Sequence, residues 1–436
     1  MLRKNKPMSV LWAVSLGHLS LDMFNGIIAV LLVFISAHIV PLTNTQIGLA
    51  IGVYQISGSL AQPLFGLMGD RTGGRWLGAL GVAWTISLLL LGLVVIQVTG
   101  QFVLMLLIFV IAPMGSAAFH PVGAMHASDS SSEREASHTA IFFLAGQTGL
   151  ALGPALAGIL LDRAASHNNV MFANPLGPIY AGKLAETGTI MPVFFMALLA
   201  IPAVIFMAFA LPNRQVHADK RKATIETVQV SARLAIPVQA MVFLVAVVAL
   251  RSLSNPGSVA FIPRLFELRG WDAAQYGAIT GFFWIGSGVA GLLFGMLADR
   301  FESRYVVAIT LLLAAIPIFL LTILTDTLAF VMALGMGVLS GGSHSLLVIQ
   351  AQRLIPGRKG LASGSIMGFM FATGALGTLV IGGLGDMIGL PAAFQVVAVV
   401  TAITGVLALG LQPDRKSTAR IQIERDAEVA AISGAD

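Results

Sequence analysis

His18, Asp22 and Asn25 follow one another at i, i+4 and i+7 in an apolar run, so a helix would carry them as one polar stripe. A charge at mid-bilayer costs on the order of 2.5–3.5 kcal/mol, so it normally faces a cavity and has a role. Counting about twelve residues at roughly 1.5 Å each from the start of the run puts Asp22 near the midplane. Arg251, Asn255 and Ser258 repeat the spacing 229 residues later with the opposite charge. A carboxyl can carry a proton. A guanidinium stays charged, and its planar fork suits carboxylate, phosphate or phosphonate. Asp22 is therefore the candidate proton carrier and Arg251 the candidate anion site, with Asn25 and Asn255 beside them. The two are expected to face each other across one watery chamber. The plainer reading is a structural ion pair without a transport role.

Histidine changes charge near neutral pH and can relay protons. His18 lies one turn from Asp22, and His120 and His344 form a further pair 224 residues apart. All three are candidates for proton coupling; a helix-to-helix hydrogen bond is the competing role. Pro121, after His120, removes a backbone bond from its helix. Gln55 and Trp284 correspond at the 229 offset, and Gln147 is an isolated amide. Each is a candidate for the substrate path or a packing contact.

The elements that must hold these residues are membrane helices. The chain of 436 residues is 57% hydrophobic and 10% charged, against about 25% charged in a typical soluble domain. No soluble fold of this size hides so much apolar surface. Cysteine is absent, which excludes disulfides, thiolate metal sites and cysteine nucleophiles. A nucleotide loop, a metal cluster and a nucleophile elbow are missing too, so an enzyme is not expected. No cofactor is expected; the energy source would be a proton gradient. The net charge of +5 is no nucleic-acid signature, because the basic residues sit in short loops.

About twenty apolar residues cross a bilayer. Spans are placed at 10–39, 45–69, 76–97, 102–127, 136–162, 190–211, 236–266, 273–298, 305–323, 328–350, 360–388 and 391–411. The first is too long for a signal-peptide core and reads as a retained helix. Of the 25 Lys and Arg residues, 20 fall on the side of the termini, four on the other, and Arg251 lies within a span. The positive-inside rule then puts both termini in the cytoplasm of a bacterial inner membrane. Residues 1–212 form the first six-helix half, 213–235 a basic cytoplasmic linker, 236–412 the second half and 413–436 a charged tail. Residues 163–189 form a long outer loop.

An internal repeat supports that division. Gly66-Leu67-Met68-Gly69-Asp70-Arg71 recurs as Gly295-Met296-Leu297-Ala298-Asp299-Arg300. Further along, the offset shortens to 224, pairing His120 with His344, Gly153 with Gly377, Gly158 with Gly382 and Asp162 with Asp386. Parallel repeats of this kind build transporters from two related halves.

The Gly66–Arg75 stretch resembles the loop motif of the major facilitators, G-x-L-A-D-R-x-G-R-[KR]. Asp70, Arg71 and Arg75 match, Gly74 replaces an Arg, and the second copy departs at Glu302 and Ser303. The resemblance implies an all-α membrane fold of about twelve helices in two six-helix halves. It also implies that Asp70, Arg71, Arg75, Asp299 and Arg300 latch the halves together. Such pairs are individually weak, which suits a latch that opens; turn formation and topology are their blander roles. Gly149, Gly153, Pro154 and Gly158 resemble the G-x-x-x-G-P-x-x-G-G motif of exporters, with Ala157 in place of one Gly. Small residues four apart let helices approach, and Pro154 bends the helix.

His18-Leu19-Ser20-Leu21-Asp22, Asn25-Gly26 and Ala118-Phe119-His120-Pro121 resemble the fosmidomycin resistance branch, which exports a phosphonate antibiotic. That resemblance implies proton-coupled antiport of a small anion by a monomer in the lipid bilayer, and adds Phe119 to the substrate-path candidates. An importer of a small anion on the same fold is the alternative. A membrane sensor that moves no solute is the third reading.

Overall fold

The computed structural model describes residues 7–72, 74–131, 134–166, 189–212, 238–354 and 359–413. Helices dominate them. In chain order they are α1 (Pro7–His38), α2 (Asn44–Thr72), α3 (Arg75–Thr99), α4 (Phe102–Asp129) and α5 (Glu135–Ser166). A short 3-10 turn, Met191–Phe194, leads into α6 (Phe195–Ala210). Then come α7 (Val238–Glu267), α8 (Ala273–Arg300), α9 (Ser303–Leu320), α10 (Thr327–Leu354), α11 (Lys359–Ile388) and α12 (Leu390–Ala408). The expected linker at 213–235, the tail at 413–436 beyond Pro413, and most of the 163–189 loop lie outside the described residues.

Eleven of these elements are long and apolar enough to cross a membrane. The remaining helix, α2, has 29 residues, enough length, but Gln46, Gln55, Ser57, Ser59 and Gln62 dilute its apolar character. Two spans are broken. The first stretch of α4 ends at Ile111, and Met114 starts the next after Pro113. In α10 the break falls at Gly342, between Gly341 and Ser343. Irregular backbone at membrane depth is tolerated where protein surrounds it.

Large apolar side chains cover the outer surface, among them Leu60, Phe209 and Val238, each more than 70% exposed. Patches of this extent are at home against lipid rather than water. The charged and polar exceptions point inward: His18, Asp22, Arg251 and Asn255 are all buried.

The two groups of six helices meet along α2 with α11 and along α5 with α8. Glycines make both seams close. A Cβ on Gly48 would run into the carbonyl of Thr378, and one on Gly158 or Gly277 would strike the carbonyl of Ala273 or Pro154. Thr378 donates its hydroxyl to the Gly48 carbonyl at 2.9 Å. These contacts lie near the start of α2 and α8 and the end of α5 and α11, hence toward the face opposite the start of α1. There Asp386, at the end of α11, caps the start of α2. It accepts from the N–H groups of Asn44 at 2.9 Å and Thr45 at 2.8 Å, and from the Thr45 hydroxyl at 2.6 Å.

Candidate functional site

The stripe expected on α1 is present, and it organises a polar cluster inside the first six helices. Asp22 holds its Oδ2 3.1 Å from Nε2 of His18, one turn away on α1. Its Oδ1 lies 3.6 Å from Nε2 of His120 on α4 and accepts from the Asn25 amide at 3.0 Å. Tyr54, on α2, donates to the Asn25 oxygen at 2.9 Å. The three acid and imidazole ligand atoms lie within 4.8 Å of one another. Two helices, α1 and α4, therefore meet on a single carboxylate, and α2 reaches it through Asn25.

Both imidazoles are anchored from behind. Nδ1 of His18 donates to the Phe142 carbonyl on α5 at 2.8 Å, while its ring stacks on Phe142 with centroids 4.1 Å apart. Nδ1 of His120 donates to the Ser116 carbonyl at 2.9 Å. Gly146 gives the cluster its room: a Cβ there would come within 2.5 Å of His18 Nε2 and 2.8 Å of Asp22 Oδ2.

Arg251 occupies the matching place in the second six helices. Its Nε donates to the Ser343 hydroxyl at 2.8 Å and its Nη2 to the Ser340 carbonyl at 3.1 Å, both on α10 beside the Gly342 break. The repeat offset of 224 maps Ser340 onto Ser116 and His344 onto His120. Thus α1 leans its acid on α4 just as α7 leans its base on α10. Among the described residues Nη1 of Arg251 has no hydrogen-bond partner, and no carboxylate pairs with the guanidinium.

Several expectations need correcting. The plainer reading, an Asp22–Arg251 ion pair, does not hold: each is bound within its own half, because α4 and α10 offer nearer partners. Phe119 is fully buried, its ring 5.9 Å from that of His18, so it buttresses the histidines and presents no surface to a ligand. His344 neighbours the Arg251 charge rather than an acid, so within this pair only His120 has a carboxylate to exchange a proton with.

The other candidates are spread along the helices. Gln55 and Trp284 are half-buried. Gln147 keeps a buried Oε1 without a hydrogen bond, and Asn255 is buried one turn from Arg251. Gly149 and Gly153 seat α5 on the α1 backbone at Leu19 and Met23, and Pro154 and Gly158 seat it on α8. Arg75 lies 5.2 Å over the Trp76 ring, and Arg300 is exposed. The side chains of Asp70, Arg71 and Asp299 lie outside what the structure describes.

Sequence reasoning missed Tyr54, Gly146, Ser340 and Ser343. A tyrosine in an otherwise ordinary stretch of α2 carried no spacing signal. Ser340 and Ser343 were accessible through the 224-residue repeat, which maps Ser340 onto the residue that anchors His120.

A family model described as Major Facilitator Superfamily matches residues 14–265 and 242–434. The chain belongs to the Major Facilitator Superfamily. Among superfamily relatives, it is 25% identical over 419 residues to the fosmidomycin resistance protein of Escherichia coli (strain K12), covering 93% of each chain. It is 24% identical over 412 residues to the uncharacterized MFS-type transporter YfnC of Bacillus subtilis (strain 168), again with 93% of each covered. In fold it is similar to a bacterial homolog of the human lysosomal transporter Spinster, solved inward-facing and unoccupied. The TM-score is 0.73 and the identity 16%, over 93% of this chain and 97% of that one. A D-xylose-proton symporter gives a TM-score of 0.70 at 15% identity, over 92% and 97%. As a major facilitator, the chain is a multi-pass membrane transporter built from two six-helix halves.

Proposed function

We propose that this transporter exports a small anionic molecule in exchange for protons, by alternating access. The observation that carries the reading is Arg251: a buried guanidinium that has, among the described residues, no partner for Nη1 and no carboxylate beside it. Burying an unpaired charge is costly. A site that retains one gains when an anion arrives and supplies the missing partner, with charge-assisted hydrogen bonds to the free edge of the fork. The Asp22 cluster in the other half supplies the proton seat. One inward proton gains about 2.3 kcal/mol per 100 mV of membrane potential.

The basic loops orient the chain with both termini in the cytoplasm of a bacterial inner membrane. The face sealed by Asp386 is then the outer one, so the cargo site would open inward, as loading for export requires. Residues 213–235 would link the halves, Asp70, Arg71, Arg75, Asp299 and Arg300 would latch the cytoplasmic side, and the functional unit would be a monomer. Export is favoured by the relative named for fosmidomycin resistance. Import by symport would use the same residues, and a symporter shares the fold.

Inside-out proteoliposomes test this, with fosmidomycin and a panel of small phosphonates and carboxylates as probes. Accumulation of an anion driven by an acid interior, and lost in Arg251→Ala, supports the reading. Cation cargo, or anion transport untouched by that substitution, contradicts it. Counterflow in oriented vesicles separates export from import.

A further inference from the structure

The hydrogen-bond directions around Asp22 say how many protons its cluster can hold. A carbonyl oxygen only accepts. The Phe142 carbonyl therefore keeps a hydrogen on Nδ1 of His18, and the Ser116 carbonyl keeps one on Nδ1 of His120, at 2.9 Å against 3.1 Å for the Ser116 hydroxyl, which can accept from the same N–H. Both Nε2 atoms are then left facing Asp22, and they face different oxygens: His18 meets Oδ2 at 3.1 Å and His120 meets Oδ1 at 3.6 Å. An imidazole lone pair pointing at a carboxylate lone pair is repulsive. Each contact becomes favourable once a proton sits in it, whether formally on nitrogen or on oxygen.

We propose that His18, Asp22 and His120 form a two-seat proton store, with one proton in each nitrogen–oxygen contact, filled and emptied through His120. The port follows from exposure. The His120 side chain is 27% exposed, Asp22 11% and His18 4%, so a proton reaches His18 by way of the other two. Empty, the cluster carries one negative charge; with one proton it is neutral, and full it carries one positive charge. The neighbours leave that count intact. His18 and His120 are the charged groups acting on Asp22. From α2 comes the Tyr54 hydroxyl, turned to Asn25. From α5 come a carbonyl and Gly146, and from α6 the thioether of Met207 against Gly17. That one transport cycle moves two protons rests on the proton-coupled reading above; the two seats do not.

The test is nitrogen NMR of the full-length protein in lipid, labelled with 15N-histidine and followed from acid to alkaline pH. His18→Gln and His120→Gln each remove one signal and so assign it, and Asp22→Asn, which keeps the volume, shifts both and so confirms that the two rings share the cluster. The store predicts that both rings titrate and that each unprotonated ring keeps its hydrogen on Nδ1, the tautomer less common in water. A ring that does not titrate, or an unprotonated ring with its hydrogen on Nε2, overturns the proposal. Two titrating rings of the Nδ1–H form in a protein that moves no protons would uphold the store and overturn only its coupling to transport.

Discussion

The carboxylate of Asp386 accepts both the backbone N–H and the hydroxyl of Thr45, a residue 341 positions earlier and in the other half of the molecule. With the Asn44 N–H it caps the first turn of α2 from outside that helix. A helix start needs acceptors and favours negative charge. The bond exists only while α2 and α11 touch, so it stabilises one of the two states of the cycle. Removing a cap costs about 0.5–2 kcal/mol, and Asp386→Ala should shift the balance toward the state open at this face by the corresponding factor of roughly 2–30. Because the chain has no cysteine, spin labels on introduced cysteines at the ends of α2 and α11 would report the distance distribution directly. Thr45→Ala removes one of the three bonds and should shift it less.

Gly146 faces the contact between His18 and Asp22 so closely that a methyl group has no place. Overpacking of this kind typically costs about 1–3 kcal/mol, and here it would be relieved by parting the two side chains. Gly146→Ala should lower thermal stability by that amount and uncouple transport from the pH gradient. Gly291, with open space around its Cβ direction, is the control: Gly291→Ala should leave coupling unchanged and should not lower stability, since Ala is the more stable residue in a helix interior.

Arg251 and Ser343 make a graded pair. Losing a charge-assisted hydrogen bond costs about 1.5–3 kcal/mol, roughly a factor of 10–150 in affinity. Arg251→Ala should weaken anion binding by at least that factor. Arg251→Lys keeps the charge but not the fork, and should restore part of it. Ser343→Ala frees Nε and should change affinity by less than tenfold. Isothermal titration with the transported anion measures all three.

Tyr54 reaches Asp22 through Asn25. Tyr54→Phe removes one hydroxyl and one hydrogen bond, worth about 0.5–1.5 kcal/mol. It should displace the pH dependence of transport while leaving the affinity for cargo at Arg251 unchanged, since that residue belongs to the other half. A pH profile beside a binding isotherm separates the two effects.

The membrane helices were legible because their signal is compositional, and α1 and α7 announced their stripes through one charged residue each. The His18–Asp22 contact followed from i, i+4 spacing alone. The convergence of His120 on the same carboxylate did not: it depends on how α4 packs against α1, which no spacing within one helix encodes. For the same reason the equal depth of Asp22 and Arg251 left a direct ion pair open as the plainer reading, and the structure forms none. Equivalent positions in a repeat meet equivalent partners, and the partner of Asp22 lies on α4, not on α7. Asp386 was visible only as the repeat of Asp162; its cap on α2 is a contact between chain segments 341 residues apart. The second seam, Gly158 and Pro154 against α8, was legible as a run of small residues, while its partner surface at Ala273 and Gly277 was not.

The measurement that bears most directly on the whole account is anion flux in proteoliposomes under an imposed pH gradient, comparing the natural chain with Asp22→Asn. The variant should still bind and exchange the anion across the membrane at equal pH, yet no longer concentrate it when the gradient is applied. Uphill transport by Asp22→Asn equal to that of the natural chain would contradict the account, because the proton would then travel by a route that bypasses this carboxylate.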